Sequence, residues 1–281
     1  MTRDLVYLVF FLMLCLDAHA ADWDSHGTFK TSGGELHYRV SGAGKPLLLL
    51  HGYSGYGQQW QSFLDEFIDD YKVIAVDLPG HGQSSKLKSS FVVADGAKDM
   101  WQLMDHLNVE QVHGVGYSAG GMILLKMALL EPSRVRAMVL ASSAFTVLEE
   151  RSSGPFEKLP KMYRKDLLRN HKGDLDKIRA ILSAKFVADI NVAELKSLKT
   201  PTLLVSGDRD DSFPLSVVVK TYLALPKARL WIVPDVGHEL FWPWGGSERL
   251  AKQFPEEVLR FFHEVQQNVN SKGPKYDTKC G

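Results

Sequence analysis

Cysteine is nearly missing from this chain: there are two, Cys15 and Cys280, in 281 residues. So few thiols exclude a disulfide-stapled scaffold, and a chain of this length needs no staple, because it can bury about 75% of its unfolded surface. An excess of charge is also missing, since 33 Lys and Arg balance 33 Asp and Glu. That balance argues against a nucleic-acid binder, which would need a basic face. Repeats, heptads and low-complexity tracts do not occur, which excludes solenoids and coiled coils. The chain carries no Asn-x-Ser/Thr sequon, which fits a bacterial periplasm better than a eukaryotic secretory route. No pair of histidines has the spacing of metal ligands on one face, and no cofactor motif is found, so neither a metal nor a cofactor is expected.

What is there begins with residues 5–16, an unbroken apolar run of twelve after Arg3. Ala18 and Ala20 then place small residues at −3 and −1 of a cut before Ala21, the layout of a secretory signal peptide. Twelve apolar residues are too few for a membrane span, which needs roughly 20. The expectation is therefore a secreted or periplasmic protein with residues 1–20 removed and no stable membrane span afterwards. Retention as an anchor, or a lipid on Cys15, is the lesser alternative. Cys280 lies in a polar tail and reads as a tail thiol.

Beyond that leader, short apolar runs alternate with amphipathic stretches. Residues 29–40, interrupted by Gly33-Gly34, read as a hairpin. Residues 47–50, 73–76, 112–115, 135–140, 203–205 and 230–233 read as strands. Residues 58–68, 122–130 and 258–265 read as helices, as does the stretch in which Val93, Ala97, Trp101, Met104 and Leu107 recur at helical spacing. Strands alternating with helices predict an α/β fold, a mostly parallel central sheet with helices on both faces. The rhythm breaks over residues 143–199. This stretch is rich in Lys and Arg, shows no strand-like run, and has helical patches at 162–168 and 178–186. It reads as a helical lid inserted into one domain, residues 21–281, rather than as a second domain.

A serine is a weak nucleophile unless a base takes its proton, and that base needs a third group to orient it. Gly116-Tyr117-Ser118-Ala119-Gly120 falls between a predicted strand and a predicted helix, the setting that exposes a serine on a sharp turn. The Gly-x-Ser-x-Gly pattern alone is common enough to arise by chance. Four more motifs accompany it in order: His51-Gly52, Asp77-Leu78-Pro79-Gly80-His81-Gly82-Gln83-Ser84, Gly207-Asp208-Arg209-Asp210 and Gly237-His238. On these five motifs the chain resembles the α/β-hydrolase superfamily, in the branch with a lid between the sixth and seventh strands and a Ser-Asp-His triad, and the resemblance spans about residues 27–265, nearly all the mature chain. The resemblance implies that Ser118 is the nucleophile, His238 the general base and Asp210 the orienting acid, with Asp208 and Asp211 as rivals for that last role. It further implies an oxyanion hole made by the backbone N–H groups of Tyr53 and Ala119. His51 and His81 are expected to hold loops, and Asp77 to fix the loop after its strand.

Aromatic residues gather around these motifs. Tyr56, Phe145, Phe213 and Trp242 are candidate pocket residues for an apolar or aromatic small-molecule ester. Phe241, Trp242 and Trp244 are hard to place in a core. The activity implied is hydrolysis of a carboxylic ester or thioester through an acyl-enzyme. The same triad also serves carbon–carbon bond hydrolases and acyltransferases, and a non-catalytic binding protein on this scaffold is a further alternative. Proline-specific peptidases of this superfamily carry His-Gly-Gly-Pro-Gly where this chain has His51-Gly52-Tyr53-Ser54-Gly55. Ser118 stands where dehalogenases and epoxide hydrolases carry an aspartate nucleophile.

Overall fold

The computed structural model describes residues 22–87, 90–146, 156–159, 161–241 and 248–270. The expected leader, Trp242, Trp244 and both cysteines lie outside them. Eight strands form the main sheet: β1 (Ser25–Lys30), β2 (Glu35–Ser41), β3 (Lys45–Leu50), β4 (Tyr71–Val76), β6 (Val112–Tyr117), β7 (Val135–Ala141), β9 (Thr202–Gly207) and β10 (Ala228–Val233). Their spatial order is β1-β2-β4-β3-β6-β7-β9-β10. Only the β1–β2 and β2–β4 pairings are antiparallel, so the sheet is mostly parallel, as expected.

The central strands read as continuous apolar runs because both faces are buried. In β3, Leu47 and Leu49 turn to one side and pack with Trp60, Phe63, Phe67 and the last helix, Glu248–Asn270. Leu48 and Leu50 turn to the other and pack against the helices Val93–His106 and Ala119–Leu130. The helix Ala119–Leu130 is apolar almost all round, in keeping with its place over the middle of the sheet.

The structure departs from the sequence reading in three places. Residues 58–68 are not one helix: a 3-10 segment, Gly57–Phe63, leads into a single α-turn, Leu64–Phe67. Its start is pinned by the Gly57 N–H, which donates to the Asp77 carboxylate at 2.6 Å. A helix that the pattern hides, Leu215–Ala224, follows Pro214; its Val217-Val218-Val219 run has strand propensity, and burial of Val217, Val218 and Thr221 overrides it. The stretch between β7 and β9 holds the expected helices, Lys161–Asn170 and Leu175–Ser183. It also holds a strand, β8 (Lys185–Val187), which pairs with β5 (Ser90–Val92) in a separate two-stranded sheet. There the stacked rings of Phe91 and Phe186 bind the stretch to the body, so the helical patch ends at Ser183 rather than at Phe186. No helix among the described residues is long and apolar enough to cross a membrane.

Candidate active site

Strand β6 runs straight into the helix Ala119–Leu130, and Ser118 is the single residue between them. Its backbone sits at φ 52°, ψ −120°, a conformation L-residues rarely adopt and one that costs of order 1–3 kcal/mol. The surroundings hold it there. Ser118 N–H donates to Ala141 O at 2.9 Å, and its carbonyl accepts from Gly121 N, Met122 N and the Ser143 hydroxyl. Glycine is required on both sides. A Cβ on Gly116 would stand 2.5 Å from Gly121 Cα, and one on Gly120 would stand 2.4 Å from Leu50 O.

Asp210 and His238 arrive from the ends of β9 and β10. The two loops are pressed together: a Cβ on Gly207 would meet Val236 O at 2.0 Å, and Arg209 N–H donates to Val236 O at 2.9 Å. The Asp210 carboxylate is fully buried. One oxygen accepts from Ser212 N and Phe213 N, both at 2.9 Å, and the other faces His238 Nδ1 at 2.9 Å. Burial alone would raise its pKa. The hydrogen bond and charge of His238 and the two amides outweigh that and keep it below the usual carboxylate range.

A carboxylate can only accept, so His238 Nδ1 carries the proton and its Nε2 lone pair faces Ser118 Oγ, 3.0 Å away. The ring lies parallel to Phe213, centroids 5.8 Å apart. The His238 carbonyl accepts from Ser142 Oγ at 2.8 Å and from Tyr117 OH at 3.1 Å. The rival acids stand elsewhere: Asp208 lies 3.7 Å from Arg209 Nε, and Asp211 is exposed.

The segment after β3 closes the other side of the serine. A Cβ on Gly52 would come 3.1 Å from Ser118 Cβ, so residues 51–53 run directly against it. Ala119 opens its helix, where the first N–H groups have no partner within the helix. Behind them, buried His51 donates Nδ1–H to Gly52 O at 2.7 Å and accepts Leu78 N–H on Nε2 at 2.9 Å, tying the loops after β3 and β4 together. His81 donates Nδ1–H to Pro79 O within the second loop. Asp77, also buried, takes Gly57 N, Gln83 N and Arg39 Nη1, with His37 Nδ1 at 3.3 Å. Burial would raise its pKa; the His37 and Arg39 interactions hold it far below the carboxylate range instead.

Sequence reasoning missed Arg39, which lies 38 residues before Asp77 and sits in no motif. It also missed Asn170, His171 and Lys177, in the helical stretch between β7 and β9, which grip these loops. Asn170 Nδ2 donates to Ser54 O at 3.5 Å, Gly82 N–H donates to His171 Nδ1 at 3.1 Å, and Lys177 Nζ donates to Gly82 O at 3.0 Å. Only their lysine-rich setting was visible.

Burial lowers three histidines from 6.5 to about 4: His51, His171 and His113, the last packed against the Tyr71 and Phe262 rings. Each is neutral in the fold, whereas the unfolded chain takes up their protons below about 6.5. Stability is then complete above that pH and is lost as pH falls toward 4. The thermal midpoint is expected to drop steadily between pH 7 and pH 4.5; a level profile would contradict these pKa values.

Of the candidate pocket residues, Phe213 stacks on His238. Phe145 is buried beneath Lys220 Nζ, 5.5 Å from the ring centroid. Tyr56 is half-buried at the start of the 3-10 segment. Trp242 lies outside the described residues. Phe241, expected to resist placement in a core, is in one: it packs on Phe63 and Phe254, centroids 5.2 and 4.3 Å away. Among the described residues no group of three or more His, Cys, Asp or Glu could hold a metal ion.

The family model for the α/β hydrolase fold matches residues 45–175. The dihydrolipoyllysine-residue acetyltransferase component of an acetoin-cleaving system, from Pseudomonas putida, is 26% identical over 247 residues. That match covers 79% of this chain, which spans only 64% of the relative's length. Pimeloyl-[acyl-carrier protein] methyl ester esterase from Nitrosomonas europaea is 25% identical over 266 residues, 81% of this chain and 98% of the relative. The solved structure of a meta-cleavage product hydrolase from Pseudomonas fluorescens superposes with a TM-score of 0.68 at 23% identity, over 85% of this chain and 98% of that one. With the strand order, the elbow at Ser118 and the helical stretch between β7 and β9, these likenesses show that this chain has the α/β-hydrolase fold.

Proposed function

We propose that the protein is a serine hydrolase that cleaves a carboxylic ester through an acyl-enzyme on Ser118. The observation that carries this reading is the unbroken chain from the Asp210 carboxylate through His238 to Ser118 Oγ, with contacts of 2.9 and 3.0 Å. Asp210 fixes the tautomer in which His238 Nε2 accepts. His238 takes the Oγ proton as Oγ attacks the ester carbonyl, and the N–H groups of Tyr53 and Ala119 stabilise the resulting oxyanion. His238, now cationic beside Asp210, gives the proton to the departing alkoxide. Water, deprotonated by the same nitrogen, then frees the acid and restores Ser118. The aromatic side chain of Phe213 beside His238 supports an apolar or aromatic group on the substrate, and the leader expected from the sequence supports action outside the cytoplasm. The esterase activity named for the Nitrosomonas relative is consistent with an ester substrate.

A panel of p-nitrophenyl esters of increasing acyl length tests the proposal. The full chain is expected to release p-nitrophenol, and Ser118→Ala to lose about 10⁴- to 10⁶-fold in kcat. Undiminished turnover by Ser118→Ala would sink the acyl-enzyme. Turnover of a vinylogous 1,5-diketone with no turnover of any ester would replace ester cleavage by carbon–carbon cleavage.

A further inference from the structure

The turn that bears Tyr53 is held from outside, by the lid. Gly55 N–H donates to Gly52 O at 3.0 Å, closing a four-residue turn. Its third residue, Ser54, sits at φ 67°, a position at which such turns favour glycine. Contacts from outside help hold the turn, and two side-chain hydrogen bonds with the lid are among them. Tyr53 OH donates to Ile181 O, the last turn of the lid helix Leu175–Ser183, at 2.7 Å. Asn170, at the end of the other lid helix, donates from Nδ2 to the Ser54 carbonyl. The Tyr53 ring is fixed edge-on by His81, Phe91 and Phe186, with centroids 5.0, 5.3 and 5.7 Å away. Phe186 also belongs to the lid stretch, through β8.

We propose that Tyr53 OH and Asn170 are positioning groups for oxyanion stabilisation: they lock the Gly52–Gly55 turn so that the Tyr53 N–H meets the oxyanion only when the lid is seated. This rests on the acyl-enzyme reading above and adds a role for the lid in the chemical step. The Tyr53 side chain thus serves as the tether between lid and backbone donor. Tyr163 and His171 of the lid also approach Ser54, whereas Lys172 and Lys177 reach the loop at residues 82–84 instead.

Phosphonylation of Ser118 by a fluorophosphonate reads this directly. The Oγ–P bond forms, fluoride leaves, the serine proton passes to His238, and the phosphonyl oxygen occupies the oxyanion position. Inactivation kinetics on the full chain separate the binding constant from the maximal rate. Tyr53→Phe keeps the caged ring and removes only the hydroxyl. It is expected to slow the maximal rate about tenfold, a part of the 10²–10³ that a lost oxyanion donor costs, with the binding constant within about twofold. Asn170→Ala should act in the same direction, and the double variant should fall short of the product of the two, because both restrain one turn. Lys172→Ala, which loosens the lid at an exposed contact away from the turn, should react as the wild type does. An unchanged maximal rate in Tyr53→Phe would overturn the proposal, as would an equal slowing by Lys172→Ala, which would mark a general effect of lid mobility. A wild-type chain that does not react at all would instead remove the acyl-enzyme reading itself, and this inference with it.

Discussion

Asp210→Asn is expected to cut kcat about 10⁴-fold while leaving the fold in place. The side-chain oxygen of asparagine can still accept the Ser212 and Phe213 N–H groups that Asp210 accepts at 2.9 Å. Its NH₂ then faces His238 Nδ1 and donates, so the ring holds its proton on Nε2 and points it at Ser118 Oγ. A base that already carries the proton there cannot take one, and a loss of this size is what the wrong tautomer costs in a serine protease triad. Asp208→Asn and Asp211→Asn, made in parallel, should leave kcat within a few-fold, because neither carboxylate stands at His238. Steady-state kinetics on the ester with the highest turnover, with thermal midpoints for all three variants, make the comparison. Loss of activity in Asp208→Asn alone would move the acid to that position.

The largest stability effect is expected at Asp77. The carboxylate is fully buried and Arg39 is 7% exposed, with 2.9 Å between them. Replacing Asp77 with asparagine keeps the shape and leaves the Arg39 guanidinium buried without its counter-charge. Breaking one side of a buried pair costs about 3–5 kcal/mol, and for a chain of this size that lowers the thermal midpoint by roughly 10 °C. Because Asp77 also receives the Gly57 and Gln83 amides, the loops after β3 and β4 should loosen, and activity should fall with them. Arg39→Met in the Asp77→Asn background removes the stranded cation and should recover part of the loss. A thermal midpoint within about 2 °C of wild type in Asp77→Asn would show that the pair contributes little.

How much of this could be read from the sequence depends on how far apart the interacting residues are. The strands β3, β6, β7 and β9 were legible because burial on both faces makes them uniformly apolar, and the elbow because Gly116, Ser118 and Gly120 satisfy a local steric demand. Asp210 and His238 lie 28 residues apart, yet each follows a strand end within a short recognisable loop, so the family resemblance could point to both. The grip of the helical stretch between β7 and β9 could not. His171 reaches Gly82 across 89 residues and Tyr53 reaches Ile181 across 128, with nothing in the local pattern to mark either partner. Strand β8 is three residues long and takes its form from Phe91 and Phe186 stacking. The helix Leu215–Ala224 was obscured by valines whose intrinsic preference is overridden by packing.

The most direct measurement is the intact mass of the full chain after diisopropyl fluorophosphate treatment, followed by peptide mapping. One diisopropylphosphoryl group on the peptide containing Ser118 is expected, with none there in Ser118→Ala and strongly slowed uptake in Asp210→Asn. A wild-type chain left unmodified, or equal modification of Ser118→Ala, would contradict Ser118 as the activated nucleophile.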